Sequence, residues 1–125
     1  MDKIIYKEES YIILGCCFDI FNEIGPGHRE NTYQSALKEK FTSKNINFKE
    51  QVYMPVQIDG KTIAKNYFDF LVYDKIVIEI KKGDGFFRRD IEQLYSYLSV
   101  SKLKLGILVN FTSTGVKHKR VLNAY

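Results

Sequence analysis

The segment Phe68–Lys82, FDFLVYDKIVIEIKK, constrains the fold more than any other part of the chain. Its aromatic and β-branched residues suit a pair of strands, yet Asp69, Glu79 and Lys81 interrupt the apolar run. The length of the connection decides where those charges fall. A two-residue turn at Asp74-Lys75 would set Asp69 against Ile80 and scatter the charged groups over both faces. A three-residue loop, Tyr73-Asp74-Lys75, sets Val72 against Ile76 and Asp69 against Glu79. One face then carries Phe68, Phe70, Val72, Ile76, Ile78 and Ile80, and the other Tyr67, Asp69, Leu71, Val77, Glu79 and Lys81. Exposing a large apolar side chain costs about 1.5–3 kcal/mol, so the longer loop is expected, although it lacks the left-handed glycine such loops favour.

The flanking patterns give the rest of the architecture. Residues 7–24 read as a helix, with Ile13, Cys16, Cys17, Ile20, Phe21 and Ile24 in one stripe, ended by Gly25-Pro26-Gly27. A second helix is expected over about 30–44, with Tyr33, Ala36, Leu37, Lys40 and Phe41 on one face. From Phe48 the period becomes strand-like, and Asp59-Gly60 marks a tight hairpin into a strand from Lys61. A third strand follows from Ile76 to Lys82. Residues 86–100 read as a helix with Ile91, Leu94, Tyr95 and Leu98 on one face, and KLKLGILVNF as a strand covered on both sides. The tail GVKHKRVLNAY fits either an edge strand or a terminal helix. The order predicts an α/β fold: a three-strand antiparallel meander, a crossover helix and a further strand, in a mixed sheet flanked by helices.

Length and composition narrow the function classes. A chain of 125 residues, 45% hydrophobic, is expected to form one globular domain over 1–125. It contains neither an apolar run near the roughly 18 residues of a membrane span nor the pattern of a signal peptide, which makes cytoplasmic the expected location. Cys16 and Cys17 are adjacent, a spacing that suits neither a metal nor a redox motif, and they are read as core residues. His28 and His118 lack a second His or Cys at ligand spacing, so zinc is not expected. Gly83-Asp84-Gly85 lacks the pattern of a nucleotide-binding loop. The net charge of +4, with Lys81, Lys82, Arg88, Arg89, Lys102, Lys104, Lys117, Lys119 and Arg120 all late in the chain, suits a polyanion and equally suits ordinary surface charge.

Two carboxylates placed side by side repel unless positive charge lies between them. Lys81 could supply some of it; a divalent cation would supply more, and Mg²⁺ favours hard oxygen ligands with positions left for water and phosphate. A half-exposed salt-bridge cluster is the plainer alternative.

Asp69 followed ten residues later by Glu79-Ile80-Lys81 resembles the central motif of the PD-(D/E)xK nuclease superfamily, with Phe68 in place of the nominal proline. Two further stretches carry the likeness. Gly27-His28-Arg29-Glu30-Asn31-Thr32-Tyr33 fits Gly-x-x-Glu-x-x-Tyr, the signature of the GxxExxY protein family, and Gln93-Leu94-Tyr95-Ser96-Tyr97 fits the Gln-x-x-x-Tyr motif of the RecB-like branch. The GILVNF strand also resembles the family's late strand, with Thr112 where glycine is common.

The resemblance implies a restriction-endonuclease-like core and a Mg²⁺- or Mn²⁺-dependent phosphodiesterase acting on nucleic acid, with DNA the expected substrate. Asp69, Glu79 and the Ile80 backbone carbonyl would ligate the metal, and Glu30 would join them directly or through water. Lys81 would orient the attacking water and offset charge on phosphorus. Gln93 would orient Lys81 or a phosphate oxygen, with Tyr97 on the same helical face; Tyr33 reads as packing. The competing readings are a non-catalytic nucleic-acid-binding module and an interaction domain using Tyr6, Tyr11, Phe86, Phe87 and Tyr125. A homodimer or a protein partner would supply targeting, and no membrane is implied.

Overall fold

A computed structural model describes residues 4–123. The elements run α1 (Lys7–Ile24), α2 (Glu30–Ser43), β1 (Phe48–Ile58), β2 (Lys61–Val72), β3 (Ile76–Lys82), α3 (Arg88–Ser101), β4 (Leu105–Phe111) and β5 (Val116–Leu122). The five strands form one sheet in chain order. β3 and β4 are parallel, and every other neighbouring pair is antiparallel. A parallel pair needs a crossover, and α3 provides it. The tail resolves as β5, an edge strand, and Tyr125, expected as an interface aromatic, lies outside the described residues.

Both faces of the sheet are covered. α1 and α2 pack Ile13, Cys16, Cys17, Ile20, Tyr33, Leu37 and Phe41 over Phe70, Val72, Ile76, Ile78, Ile80, Ile107 and Val109. Adjacent Cys16 and Cys17 are free and buried in this layer, as core residues. On the other face α3 packs Leu94, Tyr97 and Leu98 over Phe68, Val77, Leu108 and Val121. Gly106 lets that helix come close, because a Cβ there would lie 2.7 Å from Leu94 Cδ1. Tyr95, expected on the packed face of α3, is instead 39% exposed. The helix rolls so that Leu94, Tyr97 and Leu98 carry the contact. No helix among the described residues is long and apolar enough to cross a membrane.

The β2–β3 connection is the three-residue loop. Val72 pairs with Ile76, Leu71 with Val77 and Phe70 with Ile78. In place of glycine, Tyr73 (φ 56°) and Asp74 (φ 58°) adopt the left-handed conformation. Neighbouring bonds hold it: the Lys75 N–H donates to the Val72 carbonyl at 3.1 Å and the Tyr73 N–H to Asn47 at 2.9 Å. The Asn47 amide also donates to the Asp74 carboxylate at 3.1 Å.

The sorting of faces holds only as far as Phe70. Phe68, expected beside Phe70 and Val72, lies on the opposite face among the α3 contacts. Regular alternation fails at Asp69, where the pairing with β3 ends, and Gln51 across from it on β1 has a φ of 49°. The outer part of the β1–β2 hairpin is thereby rotated relative to the inner part, and the strands around Asp69 and Glu79 open.

Candidate active site

The site occupies that opening. Beyond the Phe70–Ile78 pair, side chains replace the ladder between β2 and β3. The Asp69 backbone N–H donates to Glu79 Oε1 at 2.7 Å, and the Ile80 N–H donates to Asp69 Oδ2 at 2.7 Å. Each carboxylate thus satisfies a backbone donor that a regular ladder would have paired. The arrangement also forces two acids together in a buried place, with Glu79 only 7% exposed.

Burial is the largest influence on both carboxyls and raises both above their ordinary values. For Glu79 the charge on Asp69 pushes in the same direction. Against this, the Ile80 N–H, the Gln34 amide and the Lys81 ammonium favour the ionised form of Asp69. Fully ionised, the pair would carry more negative charge than its surroundings compensate.

Helices approach from both sides. From α2, the Gln34 amide donates to Asp69 Oδ1 at 2.9 Å, and Glu30, in the first turn, accepts the Lys82 backbone N–H at 3.1 Å. Tyr33 fixes this end of α2. It stacks on Phe111 with centroids 4.0 Å apart, and its hydroxyl donates to the Gly25 carbonyl at 2.8 Å. The Gly25-Pro26-Gly27 connector is thereby tied down, and Gly27, at φ 89°, takes a backbone shape that side-chain-bearing residues rarely adopt. Tyr33 has the packing role read from the sequence.

From α3, Asp90 meets Lys81 at 3.8 Å, and Tyr97 packs against Phe68 with centroids 5.8 Å apart. Burial, then the charges of Glu79 and Asp69, push the Tyr97 hydroxyl up to about 12, so it keeps its proton near neutral pH. Gln93 lies on the exposed side of the same helix, and the ion-pair partner of Lys81 is the Asp90 carboxylate.

The sequence-predicted residues Glu79, Ile80 and Lys81 thus lie toward the end of β3, across from Asp69 of β2, with Glu30 and Tyr97 beside them. Gln34 and Asp90 were missed. Both were findable by helical spacing: Gln34 is four residues after Glu30, and Asp90 three before Gln93. Of the other residues singled out, His28 bonds the Ile24 carbonyl at 2.8 Å and meets Tyr33 edge-on, while His118 is an exposed residue of β5. Thr112 Oγ1 closes the β4–β5 turn on the Gly115 carbonyl at 2.7 Å. Phe86 packs into the α3 layer, and Tyr11 and Phe87 are exposed.

The donor chemistry suits a hard divalent ion: carboxylate oxygens in a poorly compensated, buried setting, with a backbone carbonyl between Glu79 and Lys81. Among the described residues no three Asp, Glu, His or Cys side chains gather into a ready-made metal cluster. Glu30, directed at the Lys82 N–H, is not drawn in with the other two acids.

Comparison with known proteins agrees with this geometry. The chain resembles the crystal structure of SSO0001 at a TM-score of 0.61 and 22% identity, over 77% of this chain and 51% of that one. It spans about half the length of that protein. An alkaline exonuclease (LHK-Exo) from Laribacter hongkongensis is similar at a TM-score of 0.54 and 14% identity, over 98% of this chain and 72% of that one. These likenesses show a shared fold. No curated protein matches the sequence. The family model of the PD-(D/E)XK nuclease superfamily matches residues 7–121, almost the whole chain, and the chain belongs to that superfamily.

Proposed function

We propose that this chain is a single-domain, Mg²⁺- or Mn²⁺-dependent nuclease hydrolysing phosphodiester bonds in DNA, and that it belongs to the GxxExxY family within the superfamily. The observation that carries the reading is the pair of buried acids, Asp69 and Glu79, held across the opening between β2 and β3 by 2.7 Å bonds to backbone N–H groups. Such a pair opposes stable folding unless it serves a cation. Gly27, Glu30 and Tyr33 support the finer family assignment by playing distinct parts: a tight connector, a carboxylate at the site, and the packing that holds it there.

Asp69, Glu79 and the Ile80 carbonyl would hold the ion, whose contribution when bound is Lewis-acid chemistry: a more acidic water and electron withdrawal from the phosphate. Lys81 supplies a fixed positive charge for the phosphate oxygens as negative charge grows on them. Gln34 keeps Asp69 oriented through its amide. Tyr97, protonated at neutral pH, offers a donor beside the acids. Gln93, on the open side of α3, would meet a phosphate oxygen at the mouth of the site. In hydrolysis the water oxygen bonds to phosphorus, the ester P–O bond breaks, and the departing oxygen takes up a proton.

The test is DNA cleavage by purified protein with Mn²⁺ and with EDTA, alongside Asp69→Asn and Lys81→Ala. Each substitution should lower the metal-dependent rate about 10²–10³-fold. Cleavage that persists undiminished in both variants would sink the proposal. Metal-independent DNA binding with no cleavage would turn the site into that of a non-catalytic binding module.

A further inference from the structure

The rotated outer part of the β1–β2 hairpin leaves one face open. Tyr53 and Tyr67 pair across the strands on that face, with ring centroids 5.2 Å apart. They remain 46% and 54% exposed, an unusual position for two large rings. Phe68, next along β2, packs on Tyr97 of α3. Its neighbours Tyr67 and Asp69 therefore project the other way, where Asp69 meets Gln34 of α2. Lys65, two positions before Tyr67, shares this side and is exposed.

A cation, a ring and a carboxylate thus stand in a row at alternate positions, each step about 6.7 Å. Charge along the arm favours an anion: between residues 51 and 68 the only acid is Asp59, against Lys61 and Lys65. An aromatic cross-strand pair also strengthens a hairpin. That role alone would be served as well by rings turned inward, and it does not require the row to end at Asp69.

We propose that Tyr53 and Tyr67 form a stacking platform for a base of an unpaired DNA strand, with Lys65 on its backbone phosphate, so that the strand is led into the Asp69–Glu79 opening. This deepens the nuclease reading and rests on it for the nature of the site. The substrate class it names is single-stranded DNA, or the single-stranded end of a duplex. Intact duplex buries the base faces that the rings need, whereas every unpaired base offers one.

The experiment uses the whole chain in EDTA, so that binding is read without cleavage. Anisotropy of a labelled oligothymidine should report tighter binding than a blunt duplex of equal length. Tyr53→Leu with Tyr67→Leu should weaken single-strand binding about tenfold and spare duplex binding, while Tyr67→Phe keeps the affinity. Lys65→Gln should reduce the salt slope for the single strand by about 0.7. Should the double variant fail to fold, photo-crosslinking of the unaltered protein to an iodouracil-bearing strand, mapped by mass spectrometry, still decides, with adducts expected on Tyr53 or Tyr67. Equal affinity for the two DNA forms, or adducts confined to other surfaces such as Lys117–Arg120, would overturn the platform. Binding through the tyrosines without cleavage in Mn²⁺ would refute the nuclease reading and leave the platform standing. Metal-dependent cleavage with no strand preference would do the reverse.

Discussion

The two ends of the β2–β3 hairpin obey opposite rules. At the loop end Val72, Ile76 and Ile78 are fully buried, the ladder is regular, and the faces alternate as pattern alone requires. Three residues further along, the ladder gives way to carboxylates that accept backbone N–H groups, and buried acids replace buried aliphatics. The same two strands carry both ends, so backbone propensity does not separate them. The loop end lowers the free energy of the fold; the open end raises it by burying two acids together, a cost that the proposed cation would offset. Removing volume at one end and charge at the other should therefore have different consequences.

The largest expected effect is at the closed end. Ile78→Ala removes a side chain with no solvent exposure and should lower stability by about 2–5 kcal/mol, read as a fall in the urea midpoint at unchanged slope. Glu79→Gln, at the next residue, should do the opposite in metal-free protein at mildly alkaline pH, raising the melting temperature. The amide oxygen still accepts the Asp69 N–H, while the repulsion between the acids is gone. If both substitutions destabilised at that pH, the contrast between the two ends would be broken.

Titration sharpens the same point. The Glu79 carboxyl is raised in the folded protein, so at low pH it is protonated in both states and costs nothing. As pH rises through the ordinary carboxylate range, the unfolded chain releases this proton while the folded chain retains it. Stability of the metal-free protein should then fall with rising pH until the folded group also ionises, by at most about 1.4 kcal/mol per pH unit for one proton. Millimolar Mn²⁺ should flatten that slope by binding the ionised pair, and Glu79→Gln should flatten it without metal. A metal-free melting temperature that instead climbed between pH 5 and 8 would contradict the raised carboxyl.

These expectations also mark what the sequence made legible. The register was readable because a slip would have exposed several large side chains, a penalty that no local preference outweighs. The helices and the Asp59-Gly60 turn were readable for similar reasons, through periodicity and a specific pair of turn residues; Ile58 and Lys61 do pair across it. The reversal at Asp69 left no such trace. Neither Gly nor Pro marks it, and Gln51 carries the unusual backbone angle, so Phe68 was assigned to the wrong face. The motif residues fell near one another because a strand end and two helix faces converge there. Helical spacing nominates Gln34 and Asp90, but whether their faces meet the acids and Lys81 depends on how the helices roll on the sheet, which packing decides.

Asp90 gives the smallest expected effect and the finest test of the open end. Its carboxylate is 3.8 Å from the Lys81 ammonium, a long contact between two partly exposed side chains, 26% for Lys81 and 14% for Asp90. A pair of that kind adds about 0–1 kcal/mol, so Asp90→Asn should leave the unfolding midpoint nearly unchanged. The consequence for turnover is different, because Lys81 at this end of β3 can lean toward α3 or toward the carboxylate pair, and Asp90 decides how firmly it is held. With the anchor gone, Lys81 would be drawn toward Asp69 and Glu79 and away from the phosphate of the proposed reaction. The expectation is a kcat about tenfold lower at an unchanged KM, since small misplacements of a positioned group are costly. Asp90→Glu, which keeps the charge, should recover part of the loss. A structural role alone would move the midpoint and leave the split between kcat and KM untouched, so an Asp90→Asn protein that is less stable but turns over normally would remove Asp90 from the site.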